Sequence, residues 1–256
     1  MLSYKEIRCV LVRSILNYSK DIKRQKGVFS VKKIKYIIGV SVVLVIGFWF
    51  ALSGNMQKKK VVCVGDSITY GSGVGRRRKS RSYPAVLQKK LGDDYQVLNY
   101  GLRSRTLLDY GSYPYTKEAY YKRTLKEKAD IYIIMLGTND SKIINWNTND
   151  YKQQLNKFVE SYQNANKDAH IYIMQPSRCF PDKTTGRVKY AIQNEHIEDE
   201  IYKSVAEVGQ ERGVAVIDLY HLTEKHPDWF KDGVHPNAAG YERIADYIYK
   251  TMMKDK

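Results

Sequence analysis

Five short runs of apolar, β-branched and aromatic residues recur between positions 61 and 219. They are VVCV (Val61–Val64), YQVLN (Tyr95–Asn99), IYIIML (Ile131–Leu136), IYIMQ (Ile171–Gln175) and VAVIDL (Val214–Leu219). Each is the length of one strand, and a longer stretch separates it from the next. Two of the later stretches carry helical stripes: Ile192, Ile197, Ile201, Val205 and Val208 before Gly213, and Tyr241, Ile244, Ala245, Ile248 and Met252 near the end. Strands alternating with helices predict an α/β domain built on a five-stranded parallel sheet, because parallel neighbours need a crossover long enough for a helix. In open sheets of this kind chemistry gathers at the carboxyl ends of the strands.

Three motifs lie at such ends. In VGDSITYG, Ser67 follows the first run, where a strand-to-helix turn presents a hydroxyl and leaves backbone N–H groups free to hold an anion. A plain turn with Asp66 or Ser67 as helix cap accounts for the same residues. LGTNDS places Asn139 after the third run, as an amide able to donate to an oxyanion or as ordinary turn chemistry. DGVHPNAAGY puts Asp232 three residues before His235, with Pro236 suited to the first position of the last helix, so the carboxylate can reach the imidazole Nδ1. Among the five histidines, His235 is singled out by an acid at this spacing together with a place after a strand end.

In this order GDSITYG, LGTND and DGVHPNAAG resemble the SGNH (GDSL-type) hydrolase family, from about Val61 to the last helix, with the character of its bacterial carbohydrate O-acetylesterases and arylesterases. The resemblance implies a three-layer α/β/α, flavodoxin-like sandwich and a serine esterase that uses no cofactor and no metal. Carried over motif by motif, it implies Ser67 as nucleophile, His235 as general base and then acid, and Asp232 as its orienting carboxylate. The Ser67 N–H and the Asn139 side chain become oxyanion donors. The family's third donor is a glycine five residues after the Asn of its second block, whereas NYGLRS, Asn99 to Ser104, has Ser104 there. The N–H survives that exchange, but a Cβ narrows the available backbone angles.

Substrate contacts are sought in Asp66, in the basic loop GRRRKSRSYP with Arg76 and Arg77, and in Tyr113, Tyr115 and Trp146 as sugar-stacking faces. With 22 tyrosines in the chain, packing explains each aromatic as well. The expected reaction is removal of short acyl groups, acetyl above all, from an extracellular carbohydrate through an acyl-Ser67 intermediate. Two alternatives stay open: a lysophospholipase, thioesterase or acyltransferase on the same fold, and a non-catalytic module binding cell-wall glycan.

Ahead of the domain, Tyr36 to Ser53 runs 18 residues without a charge, the lower limit for a membrane-spanning helix. Residues 1–35 carry ten basic residues against two acidic, half of the net charge of +16, and suit a cytoplasmic amphipathic leader. The expected order is therefore leader 1–35, span 36–53, linker 54–60 and hydrolase domain 61–256, with the domain outside the cell membrane. A signal peptide cut near Ser53 would instead release it as a secreted enzyme. The remaining positive charge favours anionic wall polymers or lipid headgroups. Nucleic acid is not an expected partner, since no recognition motif accompanies the charge. Cys63 and Cys179 are the sole pair of thiols beyond the span, too few for a disulfide framework.

Overall fold

The computed structural model describes residues 58–255, together with Arg13. The expected leader, the span Tyr36–Ser53 and most of the linker lie outside the described residues. Among those described, no helix is long and apolar enough to cross a membrane.

The chain forms strand β1 (Lys59–Gly65), helix α1 (Ser67–Tyr70), α2 (Tyr83–Leu91), β2 (Tyr95–Gly101), α3 (Ala119–Lys126), β3 (Ile131–Met135), α4 (Thr148–Ala165), β4 (His170–Gln175), α5 (Tyr202–Arg212), β5 (Ala215–Asp218) and α6 (Ala238–Lys254). The five strands make one sheet in the order β2-β1-β3-β4-β5, and every pair is parallel. β1 begins two residues before its apolar run. Its charged start is paired: the Lys60 N–H donates to Asp130 Oδ2 at 2.7 Å and Lys60 Nζ reaches Glu127 at 2.8 Å.

Alternation along the strands divides the apolar residues between two faces. Val62, Val64, Tyr132, Ile134, Ile171 and Ile173 pack with Tyr151, Leu155, Phe158 and Tyr162 of α4 and with Val205 and Val208 of α5. Val61, Cys63, Ile133, Met135, Tyr172 and Met174 pack with Tyr83 and Leu87 of α2 and with Tyr241, Ile244 and Ile248 of α6. A sheet buried on both faces explains why the runs are nearly continuous in hydrophobicity. Many buried tyrosines keep a hydroxyl partner, as in Tyr151 donating to the Leu136 carbonyl at 2.9 Å and Tyr115 to the Tyr100 carbonyl at 2.7 Å. Cys63 and Cys179 are both buried and free.

Two local readings are corrected. The stripe from Ile192 to Val208 is not one α-helix: Ile192 precedes it, Asn194–His196 form a short α-helical turn, Ile197–Ile201 a π-helical turn, and Tyr202–Arg212 the α-helix proper. Glu200, inside that turn, accepts from the Trp146 Nε1–H at 3.3 Å and from the Thr148 hydroxyl. Gly213 ends the helix in the left-handed region, at φ +62°. Pro236 does not open the last helix; Asn237 caps it, its side chain accepting the Gly240 N–H, and Ala238 is the first helical residue.

Candidate active site

β1 delivers Ser67 to the sheet's carboxyl edge as the first residue of α1. Asp66 caps that helix, its Oδ1 accepting the Ile68 N–H at 2.9 Å. The Ser67 N–H, at the start of a helix, has no intrahelical acceptor. α1 is held against β2 by Asn99, whose side chain donates to the Thr69 carbonyl at 2.9 Å and accepts the Gly101 N–H at 2.9 Å. Gly101 allows this approach, since a Cβ there would lie 2.2 Å from the Tyr70 nitrogen.

From the opposite end of the chain, the loop before α6 brings His235 over this serine. His235 Nε2 stands 2.9 Å from Ser67 Oγ, and its Nδ1 stands 2.8 Å from Asp232 Oδ2. The other Asp232 oxygen accepts the backbone N–H groups of Val234, at 3.1 Å, and His235, at 2.8 Å. Burial opposes ionisation of Asp232, but the His235 ring, the His235 N–H and the Tyr190 hydroxyl overcome it and hold the carboxyl well below the usual carboxylate range. Asp232 is therefore a fixed anion that sets the imidazole's orientation and tautomer.

Ser104 and Asn139 share with this triad a cavity of about 540 Å³. Ser104 has φ +65°, in the left-handed region that a glycine enters freely and a serine enters at a cost. Its N–H has no acceptor among the described residues. Asn139 Nδ2 donates to the Arg105 carbonyl at 3.2 Å and makes a longer contact of 3.4 Å to Asp66 Oδ2, so one amide hydrogen is only weakly engaged. A hydroxyl, a base, an oriented acid and N–H donors around one cavity can support nucleophilic attack on an acyl carbon.

The GDSL-like Lipase/Acylhydrolase family model matches residues 63–243, which include all of these positions. The chain belongs to this family of ester hydrolases. A relative named acetylxylan esterase, from Xylanibacter ruminicola, is 35% identical over 203 residues, 74% of this chain and 42% of that protein. A multidomain esterase from Ruminococcus flavefaciens is 26% identical, over 77% of this chain and 28% of its own length. The chain thus spans less than half the length of these curated relatives. Solved structures sharing the fold include a carbohydrate acetylesterase from Sinorhizobium meliloti (20% identity, TM-score 0.61, covering 78% of this chain and 100% of that one) and an aryl esterase from M. smegmatis (19%, 0.60, 77% and 99%).

Within this family frame, the expected substrate contacts fare unevenly. Tyr115 is fully buried and cannot stack on a sugar. Asp66 is also buried, beneath the site, where burial pushes its carboxyl up to about 6 against the Ile68 N–H and the charges of His235 and Lys142. Trp146 stacks on His196 with 5.0 Å between ring centres and packs against the core, away from the cavity. Tyr113 is exposed and lies under the Arg105 guanidinium; Arg76 and Arg77 are exposed; none of the three lines the cavity.

His235 is also less distinctive in sequence than it first looks. Asp218, the last residue of β5, and His221 repeat the same spacing and make the same contact, Oδ2 to Nδ1 at 2.7 Å, but line no part of this cavity. What separates the two pairs is the serine opposite His235.

Two other residues of the site were not singled out in the sequence: Tyr190, which lies in no motif, and Asp140, the last residue of LGTND. Tyr190 donates to Asp232 Oδ2 at 2.9 Å and meets the His235 ring edge-on at 5.3 Å, from a backbone with φ +64°. Asp140, adjacent to Asn139, is fully buried and accepts the Leu107 and Leu108 N–H groups at 3.0 and 2.9 Å, tying the loop that bears Ser104 to the loop that bears Asn139. Burial raises the Asp140 carboxyl to about 7 in spite of those N–H groups, and nearby Asp66 adds to the rise.

Proposed function

We propose that the protein is a serine esterase that removes short acyl groups, acetyl above all, from a carbohydrate. The observation that carries this reading is the continuous relay from Asp232 through His235 to Ser67, with contacts of 2.8 and 2.9 Å. The name of the Xylanibacter relative supports acetyl as the acyl group and a carbohydrate as its bearer.

In the proposed reaction Ser67 Oγ attacks the ester carbonyl while His235 Nε2 takes its proton. The Ser67 N–H, the Ser104 N–H and the Asn139 amide receive the developing oxyanion. His235 then protonates the departing sugar hydroxyl, leaving acetyl-Ser67. Water attacks that ester with His235 again as base, acetate leaves, and the serine is restored. Asp232 keeps the imidazole oriented and offsets its transient charge throughout.

The placement of the domain outside the cell, behind a span at Tyr36–Ser53, belongs to the same proposal and rests on the uncharged run and its basic flank. Hydrolysis of p-nitrophenyl acetate, butyrate and octanoate by the full chain and by its Ser67→Ala variant tests the chemistry. Turnover highest on acetate and reduced by about 10³-fold or more in the variant is expected. A peak at octanoate would replace the short-chain reading with a lipase-like one, and no Ser67-dependent turnover would leave a glycan-binding module or an acyltransferase without its acceptor.

A further inference from the structure

The cavity around Ser67 is lined by four basic side chains, Arg103, Lys142, Lys189 and Lys231. They come from four separate segments: the loop after β2, the loop after β3, the long connection from β4 to α5, and the stretch just before Asp232. The single carboxylate in the lining is Asp232, and its oxygens are already taken by His235, two backbone N–H groups and Tyr190. Among the described residues, Arg103, Lys142 and Lys231 make no ion pair, and Lys189 has only a long one, 3.7 Å to Asp182. Lys142 is half-buried, whereas Arg103, Lys189 and Lys231 stand at the exposed rim. The basic loop singled out in the sequence, with Arg76 and Arg77, contributes nothing to this ring.

A neutral acetylated sugar offers such a ring hydroxyl acceptors but no charge to offset its own. An acetyl group is small and uncharged and occupies only the space beside Ser67, so cations arranged around the mouth face the alcohol side of the ester. We propose that this cavity is a subsite for an anionic sugar, one whose own carboxylate or phosphate sits among Arg103, Lys142, Lys189 and Lys231 while its acyl ester reaches Ser67. The inference rests on the esterase reading for the position of the ester, and on the lining cations for the anion.

The test compares kcat/KM of the full chain on three acetylated sugars: a methyl glucuronide, a methyl glucoside and a glucose phosphate. Binding of the three unacetylated sugars is measured in parallel by calorimetry. At low salt at least one anionic ester is expected to exceed the neutral one by about fivefold or more, and the ratio should shrink as ionic strength passes about 0.15 M. Faster uronide assigns a carboxylate source, faster phosphate a phosphate source. The Lys142→Met/Lys231→Met variant, and Lys189→Met/Lys231→Met at two exposed positions as a second pair, should both move the ratio towards one.

Equal kcat/KM for charged and neutral esters at low salt would overturn the inference. So would a preference for a succinyl over an acetyl ester of the neutral glucoside, which would put the anion on the acyl group. Absence of turnover on every ester, p-nitrophenyl acetate included, would refute the esterase reading instead. Calorimetry would then decide the subsite: tighter binding of either anionic sugar than of the glucoside upholds it, and equal binding overturns it.

Discussion

Ser104 occupies a left-handed backbone that costs a residue with a Cβ about 1 kcal/mol or more. Ser104→Gly should therefore raise the urea midpoint of unfolding while the backbone N–H, and with it the hydrolytic rate, is retained. Tyr190 offers the converse experiment. Tyr190→Phe removes one hydrogen bond to Asp232 and keeps the ring against His235, so kcat/KM should fall about fivefold, or about 1 kcal/mol, with little change in stability. An unchanged rate would mean that the Tyr190 hydroxyl is dispensable for holding the acid. Tyr190 shows where sequence reading stops, whereas Ser104 was legible as the residue at the family's glycine position. Ser67, Asn139, Asp232 and His235 lie in short motifs that are ambiguous singly and legible in combination, whereas Tyr190 reaches the site from a loop with no periodicity and no motif. The pair Asp218 and His221 shows the opposite failure, a legible spacing with no nucleophile facing it.

At the scale of the elements, the central strands β1, β3 and β4 were legible because both faces of the sheet are buried there, so β-branched and aromatic residues run on, while the edge strand β2 admits Gln96 and Asn99. Boundaries were less so. Lys60 joins β1 through Asp130 and Glu127, some seventy residues away, and Lys59 through the Asp94 carbonyl, and the π-helical turn at Ile197–Ile201 leaves the apolar stripe intact while changing the geometry beneath it. The join between β2 and α1 is the most demanding of these features. In Gly101→Ala the new Cβ would meet backbone atoms of Thr69 and Tyr70, which have no rotamer to yield. A loss of about 2–3 kcal/mol in denaturant unfolding is expected, with a lower kcat because α1 carries Ser67. Unfolding unchanged from the parent would show that the two segments can separate without penalty.

For the whole molecule, two buried carboxyls shape the response to pH. Unfolded, Asp66 and Asp140 release their protons near pH 3.9, while in the folded chain burial holds them to about 6 and about 7. The folded state therefore binds more protons between these limits, and these groups make stability greatest below about pH 4 and erode it as pH rises to about 7. Asp140→Asn should flatten that slope in a series of denaturant titrations, at some cost in stability from the lost acceptor for Leu107 or Leu108. Asp232 acts in the opposite sense: its depressed carboxyl stabilises above about pH 3.9 and loses that contribution as the solution becomes more acidic. The proposed nucleophile and base are also 168 residues apart in the chain, one beside the first strand and the other just before the last helix. On the proposed mechanism a growing polypeptide carries its serine through the synthesis of those 168 residues without His235 beside it. That serine is thus chemically silent towards esters, and its reactivity switches on only when the loop carrying His235 has folded over it.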